Sequence, residues 1–227
     1  MQHPRLFEFR MGERSPDTLV VAEANRDAAR LLTDWRNWPG GALALVGPQG
    51  SGKTHIALAW ALEAGARQVD GGADLVCAND IFDDAHGRIV IDDASMADGG
   101  LLWRLLDRAR AEGGAVLLTG DQPPAAWSAT SPDLRSRLAA LPVARLGEPD
   151  EALMEVILRR ICREQFILLS DDAAKYLARR LPRTFAAARA WVEALETGLV
   201  RGAKPVSLAI AKRALQKMQA WWGDGEG

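Results

Sequence analysis

The segment Gly47 to Thr54, GPQGSGKT, has the residue types and spacing that bind nucleotide phosphates. It fits the P-loop pattern of glycine, four residues, glycine, lysine and serine or threonine. Glycines let backbone N–H groups approach phosphate oxygens at the positive end of a following helix. A lysine at Lys53 would supply a cation to the outer phosphates, and Thr54 would offer a hydroxyl to Mg²⁺. The predicted nucleotide contacts in this loop are Gly47, Gln49, Gly50, Ser51, Gly52, Lys53 and Thr54.

An acidic pair that ends an apolar run supplies the second half of such a site. The run RIVIDDAS contains Asp92 and Asp93. Asp92 would hold Mg²⁺, usually through water. Asp93 stands where many ATPases carry a glutamate that orients the attacking water, and aspartate is one methylene shorter. The sequence therefore predicts nucleotide binding with weak hydrolysis by the chain itself. A solvated aspartate pair is the alternative interpretation, and the P-loop upstream disfavours it.

Two later segments carry polar residues that could meet phosphate. In LLTGDQPP, Asp121 follows a predicted strand and could reach the γ-phosphate or the attacking water, although a plain turn explains it equally well. The segment Ser131 to Leu138, SPDLRSRL, carries Arg135 and Arg137. These arginines are either surface charge on a short helix, or one of them is held out toward negative charge on another molecule. The residues alone leave both interpretations open.

Hydrophobic spacing predicts the elements that must position these motifs. Short apolar runs indicate buried strands, and apolar residues at helical spacing indicate helices between them. Such alternation predicts a parallel sheet covered on both faces. The predicted strands are 41–46, 88–92 and 115–119, and the predicted helices are 25–35, 54–64 and 101–111. Beyond Gly147 to Pro149 the pattern predicts a second, all-helical domain. Its predicted helices are 150–164, 171–180, 184–196 and 208–218.

Composition limits the class of protein. The chain has 227 residues, of which 48% are hydrophobic, and this is enough apolar material for a sizeable core. No apolar run approaches the ~20 residues of a membrane span, and the N-terminus lacks the apolar core of a signal peptide, so we expect a cytoplasmic protein without membrane contact. Cys77 and Cys162 lack the neighbours of a disulfide framework or a zinc site. The net charge of −2 favours protein or nucleotide partners.

Taken in order, the P-loop, the Ile-Asp-Asp motif, TGDQPP, SPDLRSRL and the helical C-terminal part resemble the AAA+ module of the DnaA family of bacterial replication initiators. More narrowly, the chain is similar to the DnaA-related Hda family, called HdaA in alphaproteobacteria, which lacks the initiator's helix-turn-helix domain. The resemblance implies an α/β AAA+ P-loop domain with a five-stranded parallel sheet flanked by helices. It also implies these bounds: a flexible clamp-binding peptide at 1–14, the AAA+ domain at 15–147, a helical lid at 148–222 and a disordered tail at 223–227.

The same resemblance assigns roles to individual residues. Asp121 matches the first sensor, and Arg137, in the family's Leu-x-Ser-Arg pattern, matches the arginine finger. Arg183, in LPRTFAAARAWVEAL, matches the second-sensor contact to the β- or γ-phosphate. A cation at a helix start is unfavourable unless an anion lies near, which favours that role over plain surface charge. The residues that match the family's adenine-side segment are Val20, Val21 and Asn25.

The N-terminal peptide MQHPRLFEF resembles the peptide by which Hda proteins dock on the β sliding clamp. In that interpretation Leu6 and Phe7 enter an apolar pocket, and the amide of Gln2 makes oriented hydrogen bonds. Arg5 departs from the family, which often has an apolar residue there. The alternatives are a frayed terminus and an apolar tail packed on its own domain.

The resemblance implies a negative regulator of replication initiation. The chain would bind ADP, with ATP as the alternative, and Mg²⁺, dock on the sliding clamp and stimulate hydrolysis by ATP-bound DnaA in trans through Arg137. Contact with DNA would be indirect, because the interval from Thr54 to Arg88 lacks the initiator's DNA-contacting helices. The alternatives are an autonomous AAA+ ATPase that loads or remodels DNA or protein, and a DnaA-like protein that binds origin DNA. The sequence leaves open whether the chain is a monomer or a homodimer.

Overall fold

The computed structural model of the protein describes residues 25–72, 82–195 and 205–223. For residues 221–223 only the backbone is described. The chain divides into two units, and the division falls between Gly147 and Glu148. None of the helices in these ranges is long and apolar enough to cross a membrane.

The first unit is built on a five-stranded parallel sheet. The strands are β1 (Ala42–Val46), β2 (Arg67–Asp70), β3 (Arg88–Asp92), β4 (Ala115–Gly120) and β5 (Val143–Arg145). Their spatial order is β2-β3-β4-β1-β5, and each neighbouring pair is parallel. Parallel neighbours require crossover connections, and a helix follows each of β1, β3 and β4. The predicted α/β architecture and its five-stranded parallel sheet are confirmed.

Helices cover both faces of this sheet. Among the described residues of the first unit they are α1 (Arg26–Thr33), α2 (Lys53–Ala64), α3 (Gly99–Glu112) and α4 (Pro132–Ala140). Successive strand residues point to opposite faces, so Ile89 and Ile91 of β3 lie in one apolar cluster and Val90 in the other. The cluster of Ile89 includes residues of α3 and α4, and the cluster of Val90 includes residues of α1 and α2. This two-sided burial explains why the central strands are continuous apolar runs.

Three tryptophans pack together beside α2. Trp60, near the middle of α2, is 2% exposed and lies stacked on Trp38, with ring centroids 5.1 Å apart. Trp35 meets Trp60 edge-on at 6.1 Å. The indole N–H of Trp38 donates to the carbonyl oxygen of Leu31 at 2.7 Å. These contacts attach the end of α1 and the turn after it to the helix that follows the phosphate loop.

The second unit is helical, as the sequence predicts. Where the structure describes this unit, its helices are α5 (Glu151–Glu164), α6 (Asp171–Ala178), α7 (Phe185–Ala194) and α8 (Leu208–Gly223). The hydroxyl of Ser170 accepts a hydrogen bond from the backbone N–H of Ala173 and so caps the N-terminus of α6. Trp191 is fully buried, and its indole N–H donates to the carbonyl oxygen of Ala211 at 3.3 Å. Cys162 is buried in this core, which raises the pKa of its thiol to about 12.

Candidate nucleotide site and the Arg137 site

The loop between β1 and α2 follows a path that only glycine accepts at several points. Gly50 and Gly52 have φ values of 78° and 92°, which lie in the left-handed region. A Cβ on Gly47 would lie 2.7 Å from the carbonyl oxygen of Leu146. The backbone conformation of the loop therefore requires the glycines of the sequence pattern. The loop leads directly into α2, which begins at Lys53.

Lys53 points back into the loop that precedes it. Its Nζ donates to the carbonyl oxygens of Gly47 at 2.8 Å and Pro48 at 3.0 Å, and to Oδ1 of Asp121 at 2.6 Å. The lysine side chain is only 12% exposed, whereas that of Asp121 is 61% exposed. The ammonium group thus lies in a cage of oxygen atoms, and phosphate oxygens are ligands of the same kind. Two residues predicted from distant parts of the sequence, Lys53 and Asp121, are in direct contact.

Ser51 carries a polar group without a partner. Its Oγ is buried and makes no hydrogen bond with the part of the chain that the structure describes. Buried polar groups are normally hydrogen-bonded, so such an orphan marks a site for a further polar ligand. The glycine turns, the caged cation and the orphan hydroxyl together fit a polyphosphate. Thr54 is exposed in the first turn of α2, where its hydroxyl is available to a metal ion.

The ends of β3 and β4 form a small polar network beside the loop residues. The hydroxyl of Thr119 donates to Oδ1 of Asp92 at 2.6 Å and accepts from the backbone N–H of Asp93 at 2.9 Å. Oδ1 of Asp93 accepts from the hydroxyl of Ser95 at 2.9 Å. Thr119 therefore orients Asp92, the carboxylate expected to face the metal. Sequence reasoning did not single out Thr119 as a site residue, although it precedes Asp121 by only two positions.

Asp93 adopts an unusual backbone conformation. Its φ of 52° lies in the left-handed region, which costs a non-glycine residue on the order of 1 kcal/mol or more. The backbone directly after β2 approaches it closely, since a Cβ on Gly71 would lie 2.3 Å from the carbonyl oxygen of Asp93. The hydrogen bond from the Asp93 N–H to Thr119 holds this conformation. Strain at a polar strand end of this kind is typical of functional sites.

Arg137 lies on α4, and its guanidinium contacts two side chains of α3. Its Nη2 donates to Oδ1 of Asp107 at 2.6 Å, and its Cζ lies 5.4 Å from the ring centroid of Trp103. The side chain of Arg137 is 28% exposed and that of Asp107 is 45% exposed. Arg135, on the same helix, is exposed. The two arginines of SPDLRSRL therefore differ: one is held in a defined position, and the other is surface charge.

A cavity of about 280 Å³ lies beside Arg137. It is lined by Pro39, Gly40, Ala42, Leu106, Arg110, Arg137, Ala140 and Leu141. Ala42 is the first residue of β1, whereas the phosphate loop follows Val46, the last residue of β1. The five residues of β1 span about 13 Å at ~3.3 Å per residue. Arg137 and the phosphate loop therefore lie toward opposite ends of the same strand.

The other predicted site residues are dispersed. Asn25 is buried at the start of α1. Arg183 is exposed in the second unit, two residues before α7, and the hydroxyl of Thr184 caps that helix by accepting from the N–H of Ala187. The remaining predicted residues lie outside the described residues; they are Gln2, Leu6, Phe7, Val20 and Val21.

Comparison with known proteins identifies the fold. No family model matches the sequence. An uncharacterized protein of Haemophilus influenzae is 25% identical over 182 residues, which cover 74% of this chain and 79% of that protein. Domain III of the replication initiation protein DnaA from Thermotoga maritima has a TM-score of 0.70 at 21% identity, and the match covers 89% of this chain and 94% of that chain.

Two further solved structures agree with this result. AMPPCP-bound DnaA from Aquifex aeolicus has a TM-score of 0.59 at 17% identity, over 78% of this chain and 63% of that chain. The RuvB Holliday junction branch migration motor of Thermotoga maritima has a TM-score of 0.56 at 20% identity, over 79% and 61% of the two chains. The chain therefore has the fold of the AAA+ modules of DnaA and RuvB.

Proposed function

We propose that this protein is a nucleotide-bound AAA+ adaptor that restrains replication initiation by stimulating ATP hydrolysis in DnaA. The observation that carries this proposal is the position of Arg137. It lines a cavity with the first residue of β1, while the phosphate loop follows the last residue of that strand. A cation so far from the chain's own phosphate loop is suited to a nucleotide held by another molecule. The DnaA-like fold makes DnaA the natural candidate for that molecule.

The chain's own nucleotide, ADP in this proposal, would be held at the loop between β1 and α2. Lys53 would exchange the carboxylate of Asp121 for phosphate oxygens, and the hydroxyl of Ser51 would gain its missing partner. Mg²⁺, when bound, would offset phosphate charge, and Thr54 and Asp92 would hold it. Asn25 and Arg183 would contact the nucleotide from outside the loop. Bound nucleotide in this scheme stabilises the form of the protein that docks.

Arg137 would perform the chemistry on the partner. An arginine placed against the charge that develops on a transferring phosphoryl group contributes on the order of 10³ to 10⁵ in rate. The planar guanidinium offers several N–H donors to phosphate oxygens. One residue can therefore account for stimulated hydrolysis without a catalytic contribution from the chain's own site.

Delivery to the initiator would depend on the N-terminal peptide. In this proposal Gln2, Leu6 and Phe7 dock in the pocket of the β sliding clamp. The clamp encloses DNA, so contact of the adaptor with DNA is indirect, and its place of action is the cytoplasm. Tethering raises the local concentration of the adaptor near newly replicated DNA, which increases the apparent affinity without any new contact with DnaA.

The decisive experiment measures hydrolysis of ATP bound to DnaA in the presence of clamp loaded on DNA. Arg137→Ala is expected to abolish stimulation while the protein keeps its fold and its nucleotide affinity. Arg135→Ala is the matched control, because it removes an exposed arginine from the same helix. Full stimulation by Arg137→Ala would rule out the proposal. In a second arm, replacement of Gln2, Leu6 and Phe7 should remove the dependence on the clamp.

An autonomous ATPase is the second candidate function. The contacts among Asp92, Asp93 and Thr119 favour it, because they arrange two carboxylates at the strand ends expected to face bound nucleotide. This alternative predicts brisk hydrolysis by the purified protein without DnaA, and that hydrolysis should stop in Lys53→Ala. If the purified protein hydrolyses ATP negligibly without DnaA, the autonomous ATPase is wrong and the adaptor function is favoured.

A further inference from the structure

The contacts of Arg137 with α3 exceed what a mobile surface arginine would make. A carboxylate holds one side of the guanidinium at 2.6 Å, and an indole ring lies 5.4 Å from its Cζ. The two partners, Trp103 and Asp107, are four residues apart on α3 and therefore lie on the same helical face. Arg137 itself is only 28% exposed. Its side chain is thus confined from two directions by one neighbouring helix.

Although Arg137 is confined, most N–H donors of its guanidinium make no hydrogen bond to the described residues. An arginine has five N–H donors, and Asp107 occupies one of them, on Nη2. The carboxylate of Asp107 is 45% exposed, so water weakens its attraction for the guanidinium. Contact with Asp107 therefore need not be broken for the remaining donors to meet an anion. The adjoining cavity gives an anion room to approach, and the guanidinium of Arg110, which lines it too, adds positive charge there.

Resting on the proposed function, we infer that Asp107 and Trp103 are positioning residues for Arg137. A free arginine side chain loses conformational entropy when it is fixed in one geometry. Asp107 and Trp103 fix this geometry before the partner arrives. The restriction is then already present in the isolated protein, and the encounter with the partner's nucleotide starts from a guanidinium in the right orientation.

The test measures stimulated hydrolysis by DnaA at increasing concentrations of the adaptor, so that the maximal rate and the half-saturating concentration are obtained separately. Asp107→Ala is expected to lower the maximal rate about tenfold and to change the half-saturating concentration by less than about twofold. Trp103→Ala should lower the maximal rate by a smaller factor, and Trp103→Phe should restore most of it, because an aromatic face is kept. In an Arg137→Ala background, Asp107→Ala should have no further effect.

Asp84→Ala is the matched control. Asp84 pairs with Arg67 at 3.3 Å on the surface of the same unit, so this variant also removes one carboxylate and one ion pair. It is expected to match the unchanged protein in both parameters. Thermal melting reports the fold of each variant. If Asp107→Ala does not fold, Asp107→Asn tests the positioning role instead, because it keeps an oxygen acceptor and removes the charge. The maximal rate with Asp107→Asn is expected to fall by a smaller factor.

The outcomes separate this inference from the proposed function. If Arg137→Ala abolishes stimulation and Asp107→Ala leaves the maximal rate unchanged, the positioning role is wrong and the adaptor function stands. A higher maximal rate in Asp107→Ala would also overturn it, since the carboxylate would then restrain the finger. A change in the half-saturating concentration alone would assign Asp107 to docking and not to positioning. If Arg137→Ala itself stimulates normally, the proposed function fails, and the positioning role fails with it.

Discussion

Lys53 and Arg137 are both held by an aspartate at 2.6 Å, yet they lie in opposite kinds of surroundings. Lys53 is enclosed by the carbonyl oxygens of its own loop, and its carboxylate comes from the turn after β4. Arg137, in contrast, is held by side chains of α3, which supplies both the carboxylate and the aromatic ring beside it. In the proposed function, the first arrangement is a binding site in which phosphate oxygens would replace the carboxylate of Asp121. The second is a support that keeps one side chain in place.

In the proposed function, the two arrangements would let one small unit hold its own nucleotide and act on a nucleotide held by another molecule. The carbonyl oxygens of Gly47 and Pro48 and the carboxylate of Asp121 stabilise the cation of Lys53. Arg137 is held by contacts between α3 and α4 and contacts neither Lys53 nor Asp121 in the described residues. The separation along β1 means that a change at one cation need not disturb the other. Each of the following experiments tests that independence.

The largest expected effect comes from removing the cation of the loop. Lys53→Ala should weaken ADP binding by about 100-fold, because charge-assisted hydrogen bonds to phosphate are lost. Arg137→Ala should bind ADP with unchanged affinity. Titration with a fluorescent ADP analogue measures both. A comparable loss of ADP affinity in the two variants would mean that Arg137 contacts the chain's own nucleotide. The two cations would then not act independently.

A smaller effect, opposite in sign, is expected from the carboxylate partners. Asp121 competes with phosphate for Lys53, so Asp121→Asn should strengthen ADP binding by roughly fivefold. Asp107→Asn should leave ADP binding unchanged. The same titration serves for both. Weaker binding in Asp121→Asn would show that this carboxylate assists the bound nucleotide instead of competing with it.

The smallest effect concerns the orphan hydroxyl of the loop. Ser51→Ala should stabilise the nucleotide-free protein by about 1 kcal/mol, because a buried polar group without a partner is removed. The same change should weaken ADP binding a few-fold. Ser136→Ala, at an exposed position beside Arg137, should change neither quantity. Denaturant unfolding with and without ADP gives both values. A loss of stability in nucleotide-free Ser51→Ala would indicate that its hydroxyl has a partner in solution.

The sequence predicted the parts of the fold that bury apolar runs or follow a strict pattern. β1, β3 and β4 were located within a residue, and the phosphate loop was recognised from its glycines. β2 and β5 were not located, because β2 is largely exposed at the sheet edge and β5 has only three residues. Their existence was expected only from the resemblance to DnaA proteins. Short or exposed strands lack the hydrophobic signal on which such predictions depend.

The candidate site divides in the same way. Lys53, Asp92 and Asp121 belong to motifs that identify them as site residues. The contacts Lys53–Asp121 and Asp92–Thr119 form because parallel strands end at one edge of the sheet. The role of Thr119 follows from register, since Ile91 pairs with Leu118 and so Asp92 and Thr119 come next to one another. Asp107 has no such signal: it lies 30 residues before Arg137 in an ordinary amphipathic helix. Only the packing of α3 against α4 reveals it.

The stacked indoles of Trp38 and Trp60 give this protein an optical consequence. Trp60 belongs to α2, the helix whose first residue, Lys53, reaches into the phosphate loop. Two indoles 5.1 Å apart exchange and quench excitation energy, so the emission of this pair depends on their separation. A shift of α2 when phosphate enters would alter the ultraviolet fluorescence of the protein. The pair would then report nucleotide binding through the protein's own fluorescence, without any attached dye.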